Sequence, residues 1–188
     1  KKDAAEKEIV YVSIGSNIDN DFAKRMRTDY NADVVNLNYK QDDYEITTIV
    51  AQLKKKYKQV VIGVHNISRF PANNFGISKN AIALVTQLQQ KTKAITFVFG
   101  NVYAVKNWCD AKNLVACYED DVITQSTAAD ILFGRLAPKG TLPVTVCERL
   151  QFGSGIVSNR LLNNAPAADL GFSTNELLRI DSIVDDAI

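Results

Sequence analysis

Five short apolar runs alternate along the chain with segments whose apolar positions recur at helical spacing. The runs are Ile9 to Ile14 (IVYVSI), Val34 to Asn38 (VVNLN), Val60 to Val64 (VVIGV), Ala94 to Phe99 (AITFVF) and Leu114 to Cys117 (LVAC). Between the first two, Asp19 to Tyr30 suits a helix, and after the second Ile46, Ile49, Val50, Leu53 and Tyr57 fall on one helical stripe. Ser78 caps a further helix reaching about Lys91, with Ile82, Val85 and Leu88 on one face. Strands that are apolar at nearly every position have no wet face. The pattern therefore predicts an α/β three-layer sandwich, with a mostly parallel sheet of about five to six strands, helices on both faces and right-handed crossovers.

The stretch from Leu114 to Val146 reads as one unit of central strand, helix and edge strand. Asp121 suits the N-cap of the helix, because a carboxylate there accepts orphan backbone N–H groups and complements the helix dipole. Val122 to Arg135 then places Ala128, Ala129, Leu132 and Phe133 on one face, leaving Thr124, Gln125, Ser126, Asp130 and Arg135 to point elsewhere. Pro138-Lys139-Gly140 makes a turn into Pro143 to Val146, which the proline confines to a sheet edge. Before this core, residues 1–7 form a charged leader of linker type, so the domain is expected over 8–148. Residues 149–173 read as an extended wrap or linker, and Ser173 or Thr174 caps an amphipathic helix to Ile188, carrying Leu177, Ile180, Ile183 and Val184.

With 188 residues and 46% hydrophobic content the chain can bury a sizeable core. Lys plus Arg number 22 and Asp plus Glu 21, so a net charge of +1 provides no global field for nucleic acid or an anionic membrane. The Lys54-Lys55-Lys56 cluster sits late in an amphipathic helix and reads as a solvated face. No apolar segment reaches membrane-spanning length. The chain begins at Lys1, so the want of a leader carries no information about compartment. Cysteines 109, 117 and 147 form no CxxC; Cys117 reads as a small buried hydrophobe, while Cys109 and Cys147 are open to pairing or to remaining free.

Several nucleotide and hydrolase sites lack their parts. Gly15-Ser16-Asn17 is neither GxGxxG nor a P-loop, and no GxSxG or SxxK occurs. His65 has no cysteine or carboxylate at ligand spacing, so no metal site is expected, and no cofactor either.

Phe99-Gly100-Asn101, Tyr118-Glu119-Asp120-Asp121 and above all AADILFGRLAPKGTLPV, Ala128 to Val144, together resemble the second, α/β sandwich domain of glycoside hydrolase family 3. The resemblance covers about Glu8 to Glu148 and is nearest to the bacterial β-N-acetylhexosaminidase-like branch; Val102 stands where that family often has proline. In that branch a catalytic barrel precedes this domain and a serine-hydrolase (β-lactamase-like) domain can follow it. The resemblance implies an upstream barrel and a possible downstream hydrolase domain as partners, carbohydrate as an indirect partner, and a periplasmic or secreted setting. The closing helix resembles the opening of that downstream domain. In glucosidase-like members the loop after the third strand supplies the acid/base carboxylate, yet from Gly63 to Asn80 this chain has no Asp or Glu. Both catalytic groups are then implied to lie in the barrel, and this chain to be non-catalytic.

In a parallel sheet, ligands and partners meet the loops at the carboxyl ends of the strands. The long loops His65 to Ile77 and Gly100 to Asn113 carry most weight there. Candidate substrate-rim or barrel-facing residues are His65, Asn66, Arg69, Asn101, Glu119 and Asp120. Each has a plainer reading: His65 as a polar strand-end residue bonded to a neighbouring loop, Asn101 as a turn residue, and the acidic run as helix capping. Arg69 is the better candidate for meeting a partner, since a guanidinium fork holds carboxylates and carbonyls. Adjacent Glu119, Asp120 and Asp121 cannot flank one glycosidic bond from opposite sides. A second reading is a free-standing, flavodoxin-like small-ligand-binding module using the His65 and Gly100 loops.

Overall fold

The computed structural model describes residues 7–158 together with residues 173 and 179. The helix expected over 174–188, apart from Arg179, most of the leader, and the wrap beyond residue 158, apart from Ser173, lie outside the described residues. The elements run β1 (Lys7–Ile14), α1 (Asp21–Tyr30), β2 (Asp33–Leu37), α2 (Asp43–Lys56), β3 (Tyr57–Val64), α3 (Lys79–Lys91), β4 (Ala94–Val98), β5 (Leu114–Ala116) and α4 (Val122–Leu132). All four strand pairings are parallel, in the order β2-β1-β3-β4-β5.

Helix boundaries follow local chemistry. Asn20, Asp42, Ser78 and Asp121 each accept a backbone N–H from the first turn of α1, α2, α3 and α4, and Asp42 with Glu45 closes a reciprocal capping box. At its far end α2 passes straight into β3. Tyr57 adopts extended geometry while its N–H still bonds Leu53, so the last residue of the sequence stripe is the first residue of a strand.

Alternation along the strands divides the core into two halves. Val10, Val12 and Ile14 of β1, with Val60, Ile62 and Val64 of β3, pack against Ile46, Val50, Leu84 and Leu88 of α2 and α3. Tyr11 and Val61 face the other way, with Phe97 of β4, onto Phe22, Met26, Ala128 and Ala129 of α1 and α4. Phe22 is the hub of that second half, with ring centroids 5.1 Å from Tyr11, 5.0 Å from Phe97 and 5.5 Å from Phe99. Outside it, Arg25 on α1 bonds Asp29 at 2.8 Å and Asp130 of α4 at 2.6 Å, tying the two helices together.

The end of the sheet departs from expectation. Pro143 to Val146 is not a strand of the sheet, and among the described residues β5 is itself an edge. The segment instead bonds to its own continuation: Leu142 N–H to Ser154, Gly153 N–H to Leu142 and Val146 N–H to Leu150. Between it and β5 lies a largely apolar groove of about 970 Å³, floored by Leu114, Val115 and Ala116. Cys109 and Cys147 are joined, which closes a loop with a sequence separation of 38 around β5 and α4. Cys117 is half-buried rather than fully enclosed, and burial pushes its thiol up to about 12. Among the described residues no helix is long and apolar enough to cross a membrane, and no group of three metal-ligating side chains gathers.

Cross-linking chain segments so far apart removes loop entropy from the unfolded ensemble. Replacing Cys109 and Cys147 together by serine is expected to cost about 3–4 kcal/mol. A urea midpoint unchanged from the oxidised protein would contradict this.

Candidate functional site

The strand order reverses between β1 and β3, so the crevice at their carboxyl ends is where an open α/β sheet of this kind takes a ligand. Here the protein fills that place with its own groups. Asn66, in left-handed conformation, donates from Nδ2 to the Gly15 carbonyl at 2.6 Å, and the Tyr39 hydroxyl donates to the His65 carbonyl. Gly15 is itself at φ +95, and a Cβ on it would strike the His65 carbonyl and the Tyr39 hydroxyl.

Beneath this closure stands His65, 1% exposed at the end of β3 and stacked 4.4 Å from the Phe99 ring. Its Nδ1 lies 2.8 Å from Asp120 Oδ1, and its Nε2 lies 2.6 Å from the Tyr11 hydroxyl and 2.9 Å from Asn20 Nδ2. The Asn20 side chain is oriented by its Oδ1, which accepts the Ala23 N–H at 2.8 Å. Its amide nitrogen can only donate, so His65 Nε2 is an acceptor and the ring proton sits on Nδ1, facing the carboxylate.

Asp120 is equally committed. Its Oδ1 also accepts from Gln125 Nε2 at 2.8 Å, and its Oδ2 accepts the Asn66 N–H at 2.8 Å. Burial alone would raise the Asp120 carboxyl, but the hydrogen bonds from His65, Asn66 and Gln125, with the His65 ring beside it, hold it below the ordinary carboxylate range. Gln125 in turn accepts the Phe22 N–H, so the network runs from β5 through α4 to α1. Burial drives the Tyr11 and Tyr39 phenols well above their ordinary range, which keeps both as donors. The order Asp120, His65, Tyr11 repeats the wiring of a hydrolytic relay, but the Tyr11 hydroxyl is fully enclosed and no substrate reaches it. The arrangement joins β1, the start of α1 and the β5–α4 turn to the end of β3.

What the carboxyl end offers outwards is apolar. Each strand-end loop, with the helix start that follows it, exposes at least one large apolar side chain: Ile18 after β1, Tyr44 (80% exposed) after β2, Phe70 (74%) after β3, Tyr103 after β4, and Tyr118, Val122 and Ile123 (78%) after β5. Among the described residues the remaining large exposed apolar side chains, Leu136, Phe152, Ile156 and Val157, all follow α4.

The candidates from sequence separate into two depths. His65 and Asp120 form the inner network, and Asn66 straddles it, its backbone bonded to Asp120 and its side chain on the surface. Arg69 and Glu119 are exposed, and half-buried Asn101 donates from Nδ2 to the Arg69 carbonyl at 3.0 Å, joining the two long loops. Gln125 corrects the expectation that it points away from the core: it is 6% exposed and turned inward. Sequence reasoning also missed Tyr11, Asn20 and Tyr39. Asn20 carried a usable sign as the residue before α1, whereas nothing local marks the partners of Tyr11 across 54 residues.

The architecture is thus an α/β sandwich on a five-stranded parallel sheet. No protein-family model matches the chain, and no curated protein sequence matches it. One solved structure with a similar fold is that of a fungal multi-domain GH3 β-N-acetylglucosaminidase in which a GCN5-related glucosamine N-acetyltransferase region exists. The superposition has a TM-score of 0.58 at 16% identity, and it covers 78% of this chain and 16% of that one. The likeness is one of fold, to a region of a multi-domain glycosidase, and this chain spans about a sixth of that protein's length.

Asp120→Asn removes the charge that His65, Asn66 and Gln125 were arranged around, at an expected cost of about 2–3 kcal/mol at neutral pH. Because the folded-state value of Asp120 is depressed, its contribution is present above the unfolded carboxylate value, about 3.9, and is lost as pH falls through the folded one. Wild type should therefore lose more stability than Asp120→Asn between neutral pH and about pH 2, as read by denaturant unfolding. Parallel pH profiles would refute the assignment.

Proposed function

We propose that this chain is a non-catalytic α/β domain of a glycoside hydrolase of the β-N-acetylhexosaminidase or β-glucosidase-like type. Its strand-end loops pack against a catalytic barrel elsewhere in the same polypeptide, bracing or rimming that active site. The observation carrying this reading is the apolar rim: each of the five strand-end loops, with the helix start that follows it, exposes at least one large apolar side chain at the carboxyl end of the sheet. Exposed apolar surface of that kind marks an interaction site. Two further features favour it. The motif order from Ala128 to Val144 resembles the second domain of glycoside hydrolase family 3, and the similar solved fold lies within a multi-domain GH3 β-N-acetylglucosaminidase.

The chemistry required for sugar cleavage is then supplied from outside. Residues 63–80 contain no carboxylate, and the Asp120 carboxylate is spent on three donors in the inner network. The domain would extend over 8–148, with 149–173 as a wrap or linker towards a following serine-hydrolase domain. The Cys109–Cys147 bridge suits an oxidising compartment, in keeping with a periplasmic or secreted protein. A free-standing flavodoxin-like module is less well supported, because the crevice such a module would use is occupied by Tyr39, His65 and Asn66.

The chain alone should not release nitrophenol from an aryl N-acetylglucosaminide, whereas the polypeptide that includes the upstream barrel should; robust turnover by the chain alone contradicts the reading. Thermal-shift measurements with sugars and nucleotides are expected to leave the melting temperature of the chain unchanged. A strong stabilisation by one of them would favour the ligand-binding module, since binding to the native state raises stability by mass action.

A further inference from the structure

The loop between β3 and α3 contains a run of backbone that L-residues seldom adopt. Asn73 (φ 50, ψ 40), Asn74 (φ 53, ψ 51) and Phe75 (φ 59, ψ 24) make a left-handed turn, and Gly76 follows at φ 78. Asparagine tolerates that region, but a bulky phenylalanine there is a genuine outlier, and such conformations persist only where the surroundings impose them. The surroundings here do so. The Phe75 side chain is 2% exposed with the Lys106 ammonium 5.2 Å from its ring centroid, and its carbonyl accepts the Ser68 N–H at 2.8 Å. Asn74 Nδ2 donates to Asn107 at 3.0 Å, and the Arg69 carbonyl is held by Asn101.

All of these restraints act on the base of the loop, and they hold Arg69-Phe70-Pro71 at the surface. Phe70 is 74% exposed, so among the described residues its ring has no packing role that would explain it. Arg69 is exposed beside it, on an end of the sheet that also carries the carboxylates Asp19, Asp42, Asp43, Glu119 and Asp121 and the cations Lys40, Lys79 and Lys106. A large aromatic and a guanidinium, displayed on backbone already fixed in place, lose little freedom on binding and belong to the residue types that dominate interface energetics.

We propose that Arg69 and Phe70 are the anchor of the docking rim: Phe70 inserts into an apolar pocket of the partner domain, and Arg69 pairs with a carboxylate or backbone carbonyls at the mouth of that pocket. This rests on the reading of the rim as an interdomain surface and assigns its energy to one loop. The left-handed turn is the device that sets the anchor in position before contact. Loosening the turn therefore weakens docking.

The test is hydrogen exchange on the whole polypeptide, comparing amides of residues 101–104 and 118–123 in wild type, Phe70→Ala, Asn73→Gly/Asn74→Gly, Tyr103→Ala and Ile123→Ala. Phe70→Ala alters only an exposed side chain, so the fold survives it. Exchange at those amides should speed about thirtyfold or more in Phe70→Ala, and several-fold in the double glycine variant, against small changes in Tyr103→Ala and Ile123→Ala. Wild-type exchange in Phe70→Ala, with acceleration in Tyr103→Ala or Ile123→Ala, overturns the anchor and leaves the docking surface standing. Exchange in the whole polypeptide equal to that of the separate chain would overturn the docking surface itself.

Discussion

An imidazole buried at the end of a central strand is costly unless both of its nitrogens are bonded, and meeting that demand organises the carboxyl end of this sheet. His65 reaches Asp120 with one nitrogen and Tyr11 and Asn20 with the other, so one ring ties β1, the start of α1 and the β5–α4 turn to β3. The space it needs is reserved in the backbone. A Cβ on Gly63 would collide with both the Tyr11 hydroxyl and the His65 ring, so glycine two residues before the histidine is part of the same solution. Asn66 and Tyr39 then seal the crevice above. A position that in an open sheet would admit a ligand has become a fastening for the loops.

That fastening gives the outer rim its character. Loops whose backbones are tied from below can present apolar side chains to solvent without collapsing onto one another, and the tied loops here present them on every strand. The β3–α3 loop carries the principle furthest, because three non-glycine residues are kept left-handed so that two others face outward. Rigid support beneath and apolar display above are what a surface built for association requires, since the ordering cost is met during folding rather than on contact.

The layers were legible in the sequence because their causes are local. Runs such as VVIGV permit no wet face, Ser78 and Asp121 precede helical stripes, and each was found as the cap of its helix. What was not legible depends on encounters across the chain. Gln125 is polar and lies off the apolar face of α4, yet turns inward because Phe22 and Asp120, 103 and 5 residues away, offer it partners. Pro143 to Val146 has strand composition, but Leu142 finds its bonds with Gly153 and Ser154, and the segment does not pair with β5. The Asn73-Asn74 pair hints at left-handed backbone, whereas Phe75 does not; only the burial of its ring accounts for it. Cys109 and Cys147 were open to either state, because nothing in their spacing fixes where the segment after α4 returns.

The Cys109–Cys147 bridge also decides how this domain would respond to a pull. Tension applied along the backbone, as neighbouring domains impose when one moves against another, passes through the sulfur link and bypasses the 38-residue separation it spans. About 130 Å of potential extension is thereby withheld, at some 3.5 Å per residue. While the bridge is intact, β5, α4 and the groove beside them stay slack under a load that could peel the strands before them, so of the two edges of the described sheet the one at β5 is sheltered from mechanical opening.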